Sequence, residues 1–93
     1  MIKTFVSKEA EKISNRQYPE KLPSDIRRVI LRKLRMLNQA RSISDLRVPS
    51  ANCLERLSGN RKGQYSIRIN QKWRVCFKWQ ENNAYDVEVV DYH

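Results

Sequence analysis

The chain changes its hydrophobic period once. Over residues 24–38 the apolar positions Ile26, Val29, Ile30, Leu34 and Leu37 recur at three- and four-residue steps, which lays them along one stripe of a helix. Ser24 follows Pro23 and is expected to cap the free backbone donors, and Asp25 suits the positive helix end. Arg27, Arg28, Arg32, Lys33 and Arg35 occupy the other faces. Their ordinary reading is a solvated surface; the alternative is a surface that lies along a polyanion. A weaker, polar helix is predicted over 7–17 with Ser7 as N-cap. Residues 18–23, with two prolines, form a loop, and a short helical turn over 42–46 precedes a loop through Pro49. Residues 2–5 alternate apolar and polar and predict a short first strand.

From Leu54 onward the period is two. Strands are predicted at 54–57, 65–69, 73–79 and 84–90, separated by turns. The first turn holds Arg61 and Lys62 between Gly59 and Gly63, and the others lie at 70–72 and 80–83. Strands joined so closely are antiparallel neighbours. Tyr65, Ile67 and Ile69 should share an apolar face with Trp73, Val75, Phe77 and Trp79, and with Tyr85, Val87 and Val89. A three-residue turn at 70–72 pairs Ile67 with Val75 and sets Arg68 opposite Arg74. The same parity brings Lys78 near Asp86 and puts Tyr92 on the Arg74 face. The expected fold class is α+β, a twisted antiparallel sheet packed against N-terminal helices, in one domain spanning 1–93.

Composition narrows the function classes. The 93 residues are 40% hydrophobic, enough for one modest core. Lys and Arg number 19 against 10 acids, a net charge of +9, which calls for a polyanionic partner: nucleic acid, an anionic membrane or an acidic protein. The longest apolar runs, 29–31 and 75–77, cannot span a bilayer, so no membrane role is expected. Residues 1–5 hold no signal-peptide stretch, and the expectation is a cytoplasmic protein. Cys53 and Cys76 lack C-x-x-C spacing and the chain has a single histidine, so neither a zinc site nor a cofactor is predicted. Both thiols are expected free, with Cys76 acting as a small strand hydrophobe.

Between residues 54 and 80 stand seven cations, Arg56, Arg61, Lys62, Arg68, Lys72, Arg74 and Lys78, and one acid, Glu55. Aromatic rings interleave with them, but sheet parity sends these to the core and leaves Tyr92 as the exception. Two arginines opposed in a ladder repel. Either an anion belongs between Arg68 and Arg74, or Asp86 and Glu88 neutralise an ordinary polar face. By charge, the candidates for RNA contact are Arg61, Lys62, Arg68 and Lys72 on the sheet side and Arg32 and Arg35 on the helix. The sequence closes on Asp91-Tyr92-His93. A lone terminal histidine is commonly frayed. Here, however, the last strand carries Tyr92 and His93 toward Arg74 and Lys72. A proton donor, a phenol and guanidinium groups around one phosphate suit metal-free RNA cleavage, in which a 2′-hydroxyl attacks the adjacent phosphate.

At these residues the sequence resembles the HigB host-inhibition toxins of type II toxin–antitoxin systems, within the RelE/ParE superfamily. The resemblance runs from Met1-Ile2-Lys3-x-Phe5, through Leu57-Ser58-Gly59-Asn60-Arg61-Lys62-Gly63-Gln64-Tyr65-Ser66-Ile67-Arg68-Ile69-Asn70 and Trp73-Arg74-Val75-Cys76-Phe77-Lys78-Trp79, to Val87-Glu88-Val89-Val90-Asp91-Tyr92-His93. It implies a microbial-RNase-like fold and ribosome-dependent mRNA cleavage. It also implies a cognate HigA-like helix-turn-helix antitoxin, with operator DNA bound only indirectly, through the antitoxin complex. By this resemblance His93 is the general acid or base, Tyr92 and Asp91 position it or the substrate, and Arg74 stabilises the phosphate. One departure is Ser58, where many relatives carry Lys; Arg61 or Arg68 are the candidate substitutes. Two rival readings are a ParE-like gyrase inhibitor and a non-catalytic RNA- or ribosome-binding module. Tyr92 and His93 beside Arg74 favour the nuclease, because neither rival needs a proton-transfer group.

Overall fold

The computed structural model describes residues 1–6, 8–17 and 23–91. The predicted Ser7 cap, most of the 18–23 loop, and Tyr92 and His93 lie outside the described residues. Helix α1 (Lys8–Ser14) and helix α2 (Ser24–Gln39) precede strands β1 (Glu55–Arg56), β2 (Gln64–Arg68), β3 (Trp73–Gln80) and β4 (Asn83–Asp91), with short 3-10 turns at Ile43–Arg47, Ser50–Asn52 and Gly59–Arg61. The sheet is antiparallel throughout, in the order β1-β2-β3-β4.

The period-3.6 stripe forms α2 as expected, and Ile26, Ile30, Leu34 and Leu37 are buried against the sheet. Two details differ. Pro23 holds the N-cap position in extended geometry and Ser24 is already helical, with no side-chain cap bond. Proline's fixed φ suits a helix entry, and it has no N–H to leave unpaired. Lys33, expected on the solvated face, is only 5% exposed because the chain after α2 folds back over it. In the 3-10 turn that follows, the Asp45 carboxylate accepts the backbone N–H groups of Arg41 (2.9 Å) and Ser42 (3.2 Å). These bonds hold the carboxyl below its ordinary pKa.

The hairpin registers follow the alternation. Ile67 faces Val75 and Arg68 faces Arg74. Asn70 Oδ1 closes that turn by accepting the N–H groups of Lys72 and Trp73, both at 2.8 Å. Glu81 and Asn82, at φ 51° and 63°, join β3 to β4 in the left-handed geometry that two-residue hairpins favour.

Three further sequence expectations need correction, the first through a bulge in β4. Between the pairs Cys76–Glu88 and Lys78–Tyr85, β4 sets Asp86 and Val87 against the single residue Phe77. Asp86 adopts φ 52°. One extra residue reverses the parity of everything before it. Tyr85 therefore lies beside Lys78 on the outer face instead of with Val87, and Ala84 takes the inner position beside Trp79. The 2–5 segment makes only two parallel bridges, Ile2–Ala84 and Phe5–Val87. Thr4 Oγ1 accepts the Asp86 N–H at 2.8 Å across the interruption. The 54–57 strand shrinks to two residues because Cys53 is left-handed (φ 45°) and a 3-10 turn begins at Gly59.

Phe77 is fully buried at the centre of the inner face, stacked on Tyr65 at 6.2 Å and edge-on to Trp79 at 6.3 Å. Helix α1 packs on α2 and β4. Among the described residues no helix is long and apolar enough to cross a membrane.

Candidate active site

The outer face of the sheet reads in rows. Arg68, Arg74 and Val90 form one; Glu55, Ser66, Cys76 and Glu88 the next; Gln64, Lys78 and Tyr85 the third. An ordinary solvated face was one of the two readings of this side, yet Ser66 and Cys76 have no exposed surface and Arg74 only 9%. Polar straps produce that burial. Arg61 Nη1 reaches Gln64 Oε1 on β2 (3.1 Å) and Glu88 Oε1 on β4 (2.5 Å), so its guanidinium crosses over β3. At the other end Arg74 Nε donates to Ser66 Oγ (2.8 Å) and Arg74 Nη2 to the Cys53 carbonyl (2.7 Å). Burial beneath these groups pushes the Cys76 thiol pKa up, so the sulfur stays protonated.

Arg74 is thus on the predicted face but anchored at two points rather than displayed. Among the described residues, two of its five donors are engaged. It lines a cleft of about 330 Å³ with Cys53, Glu55, Arg68, Asn70 and Gln71. The acids named as neutralising this face pair elsewhere, Glu88 with Arg61 and Asp86 with Lys78; the acid in the cleft is Glu55, placed by β1 opposite Ser66. Two guanidinium groups and a carboxylate around one cavity can hold a phosphodiester and accept a proton from a hydroxyl beside it.

The remaining candidates are distributed. Lys72 lies 3.6 Å from Asp91 and 6.0 Å from the Trp73 ring centroid, and Lys78 lies 3.2 Å from Asp86. Asp91 pairs with Trp73 in the ladder, next to the Arg74–Val90 pair. Lys62 is exposed after the 3-10 turn. Arg32 and Arg35 are exposed on α2, on the helix side, where Arg35 borders a groove with Arg16, Ile2, Phe5 and Leu31. They do not join the Arg68–Arg74 cleft. Among the described residues no three His, Cys, Asp or Glu side chains gather as metal ligands would.

Sequence reasoning missed Glu55 and the buried anchors Ser66, Asn52 and Lys33. Glu55 carried a signal, being the one acid in the basic stretch 54–80. The anchors carried none, since a serine in a polar row and a lysine on a basic helix look ordinary.

A four-stranded antiparallel sheet with helices on one face and an arginine cleft on the other defines a small basic α+β protein. A family model described as the RelE-like toxin of type II toxin–antitoxin system HigB matches residues 3–93. The chain belongs to that HigB-like toxin family. It is 44% identical over 63 residues to Toxin HigB-1 of Vibrio cholerae, covering 68% of this chain and 66% of that protein, so the match spans just under two thirds of that relative. It is 28% identical to Endoribonuclease HigB of Proteus vulgaris over the whole of both chains. Its fold is similar to a chain in the heterotetrameric YoeB–YefM toxin–antitoxin complex of Staphylococcus aureus, with a TM-score of 0.61 at 19% identity, covering 100% of this chain and 98% of that one.

Proposed function

We propose that this protein is a ribosome-dependent mRNA endoribonuclease that inhibits translation, acts in the cytoplasm without a metal, and is neutralised by a HigA-like antitoxin. The observation that carries the reading is the cleft in which the anchored Arg74 faces Arg68 beside Glu55. Arg74 and Arg68 take the non-bridging oxygens of the scissile phosphate and stabilise the pentacovalent charge. Glu55 takes the proton of the 2′-hydroxyl, which attacks the adjacent phosphorus; the 5′-oxygen leaves with a proton from His93. Tyr92 and Asp91 position the imidazole. Lys62, Lys72 and Arg61 border the RNA path, and Arg32 and Arg35 on α2 serve docking to ribosomal RNA. The full-length relative named Endoribonuclease HigB supports the activity. The toxin–antitoxin complex among the structural neighbours supports an antitoxin partner.

The test is to express the protein and map mRNA 5′ ends in the cells, with His93→Gln and Glu55→Gln beside the wild type. New ends are expected with the wild type alone, each variant losing about 100-fold or more in cleavage on purified ribosomes. Wild-type cleavage by both variants defeats the mechanism. Growth arrest without new mRNA ends, together with loss of gyrase supercoiling, replaces it with the ParE-like reading.

A further inference from the structure

The cleft lies on one face of the sheet and α2 on the other, yet a polar path joins them around the β1 edge. Lys33 Nζ, on α2, donates to Asn52 Oδ1 at 2.5 Å. Asn52 is fully buried, and its Nδ2 donates to the carbonyls of Leu46 (3.2 Å) and Val48 (3.5 Å). The next residue, Cys53, turns in the left-handed region at φ 45° and ψ 54°. Its carbonyl accepts Arg74 Nη2 at 2.7 Å.

We propose that Lys33 and Asn52 are positioning residues for Arg74, acting through the Cys53 carbonyl; this rests on the reading of Arg74 as the phosphate-binding group. The two ends of the Asn52 amide are not interchangeable. An ammonium can only donate, so it selects Oδ1 and turns Nδ2 toward the 46–48 carbonyls. That closes the loop and sets the direction in which Cys53 leaves it. The Arg74 guanidinium is aimed by two bonds, to Ser66 and to Cys53. With the second lost, the planar fork pivots on the first, and a misaimed fork no longer meets phosphate with both arms.

An ammonium is a costly donor to bury here. Burial drives the Lys33 pKa down, and Arg32 pushes it the same way. Removing the ammonium leaves Asn52 Oδ1 buried and unpaired, which costs stability in turn. What methionine cannot do is orient the amide of Asn52.

The experiment compares Lys33→Met, Lys33→Gln, Arg74→Ala and the double variant Lys33→Met/Arg74→Ala, each as the full chain, on ribosomes programmed with mRNA. Lys33→Met should melt about 5–15 °C below the wild type, through the unpaired Asn52 Oδ1. Its kcat should fall about 10- to 100-fold with KM nearly unchanged, the mark of a misplaced transition-state contact. Lys33→Gln, which keeps a donor, should recover most of kcat. The double variant should be no slower than Arg74→Ala, because the two residues act in series. Wild-type kcat in Lys33→Met beside a crippled Arg74→Ala overturns the positioning role and leaves the reading of Arg74 standing. Wild-type cleavage by Arg74→Ala overturns that reading itself. A full further loss in the double variant makes the lysine act independently of Arg74 and also overturns the proposal.

Discussion

On the inner face of the sheet Ile67, Val75, Phe77, Ala84 and Val87 are buried by apolar contact with α2, α1 and the N-terminal segment. On the outer face Ser66, Cys76 and Arg74 are almost as deeply buried, but by hydrogen-bonded straps: Arg61 across to Glu88 and Gln64, and Arg74 tied to Ser66 and Cys53. The difference lies in directionality. Apolar packing responds to volume and tolerates a swap that conserves it. A strap depends on particular atoms and is undone by losing one. The inner face therefore carries stability, and in the proposed mechanism the outer face carries aim.

The largest expected effect on that contrast is on the inner face. Phe77→Ala should cost about 3–5 kcal/mol in urea unfolding, a large share of a small domain's stability. A loss below about 1 kcal/mol would mean that the sheet does not rest on this core.

Arg74→Ala should behave in the opposite way. Cleavage should fall about 100- to 1000-fold in single-turnover assays. Stability should fall by only about 1–3 kcal/mol, from unpairing Ser66 Oγ and the Cys53 carbonyl. Equal damage by the Phe77 and Arg74 variants to both quantities would erase the distinction between the faces.

The straps can be probed by thiol chemistry. Cys53 is exposed and Cys76 buried with its pKa raised, so in the native protein a thiol reagent should titrate Cys53 quickly and Cys76 only after unfolding. Glu88→Ala frees Arg61 from β4 and should speed modification of Cys76 without large loss of stability. Unchanged protection of Cys76 in that variant would show that Arg61 does not roof it.

The smallest effect concerns pH. The two backbone bonds hold the Asp45 carboxyl below the usual carboxylate range in the folded protein, so they stabilise fully above that range. Their contribution fades as the pH falls through the lowered pKa. Asp45→Asn should lower the urea midpoint at pH 6 and narrow the difference from the wild type at pH 3. An equal difference at both values would remove the carboxylate from the account.

Much of this was legible in the chain because it is local. The α2 stripe, the turn at Asn70, the hairpin register and the opposition of Arg68 to Arg74 depend on residues a few positions apart. Where the reading failed at Tyr85, the cause was a contact distant in sequence. The Asp86 bulge, which turned Tyr85 outward, is bridged by Thr4, 82 residues away. The site was half legible: opposed arginines and a lone acid stand in the pattern, but the cleft that gathers Glu55, Arg68 and Arg74 does not.

Alternation and charge by themselves determined an α+β chain, a cationic outer row and its orientation away from the helices, because side-chain parity and net charge need no knowledge of what packs where. Only the tertiary structure decided that Lys33 is buried, that Arg61 spans β3, and that Arg74 is held by a carbonyl 21 residues before it. A hydrogen bond between distant residues leaves no periodic trace, since its two ends are set by how the chain returns on itself rather than by their neighbours.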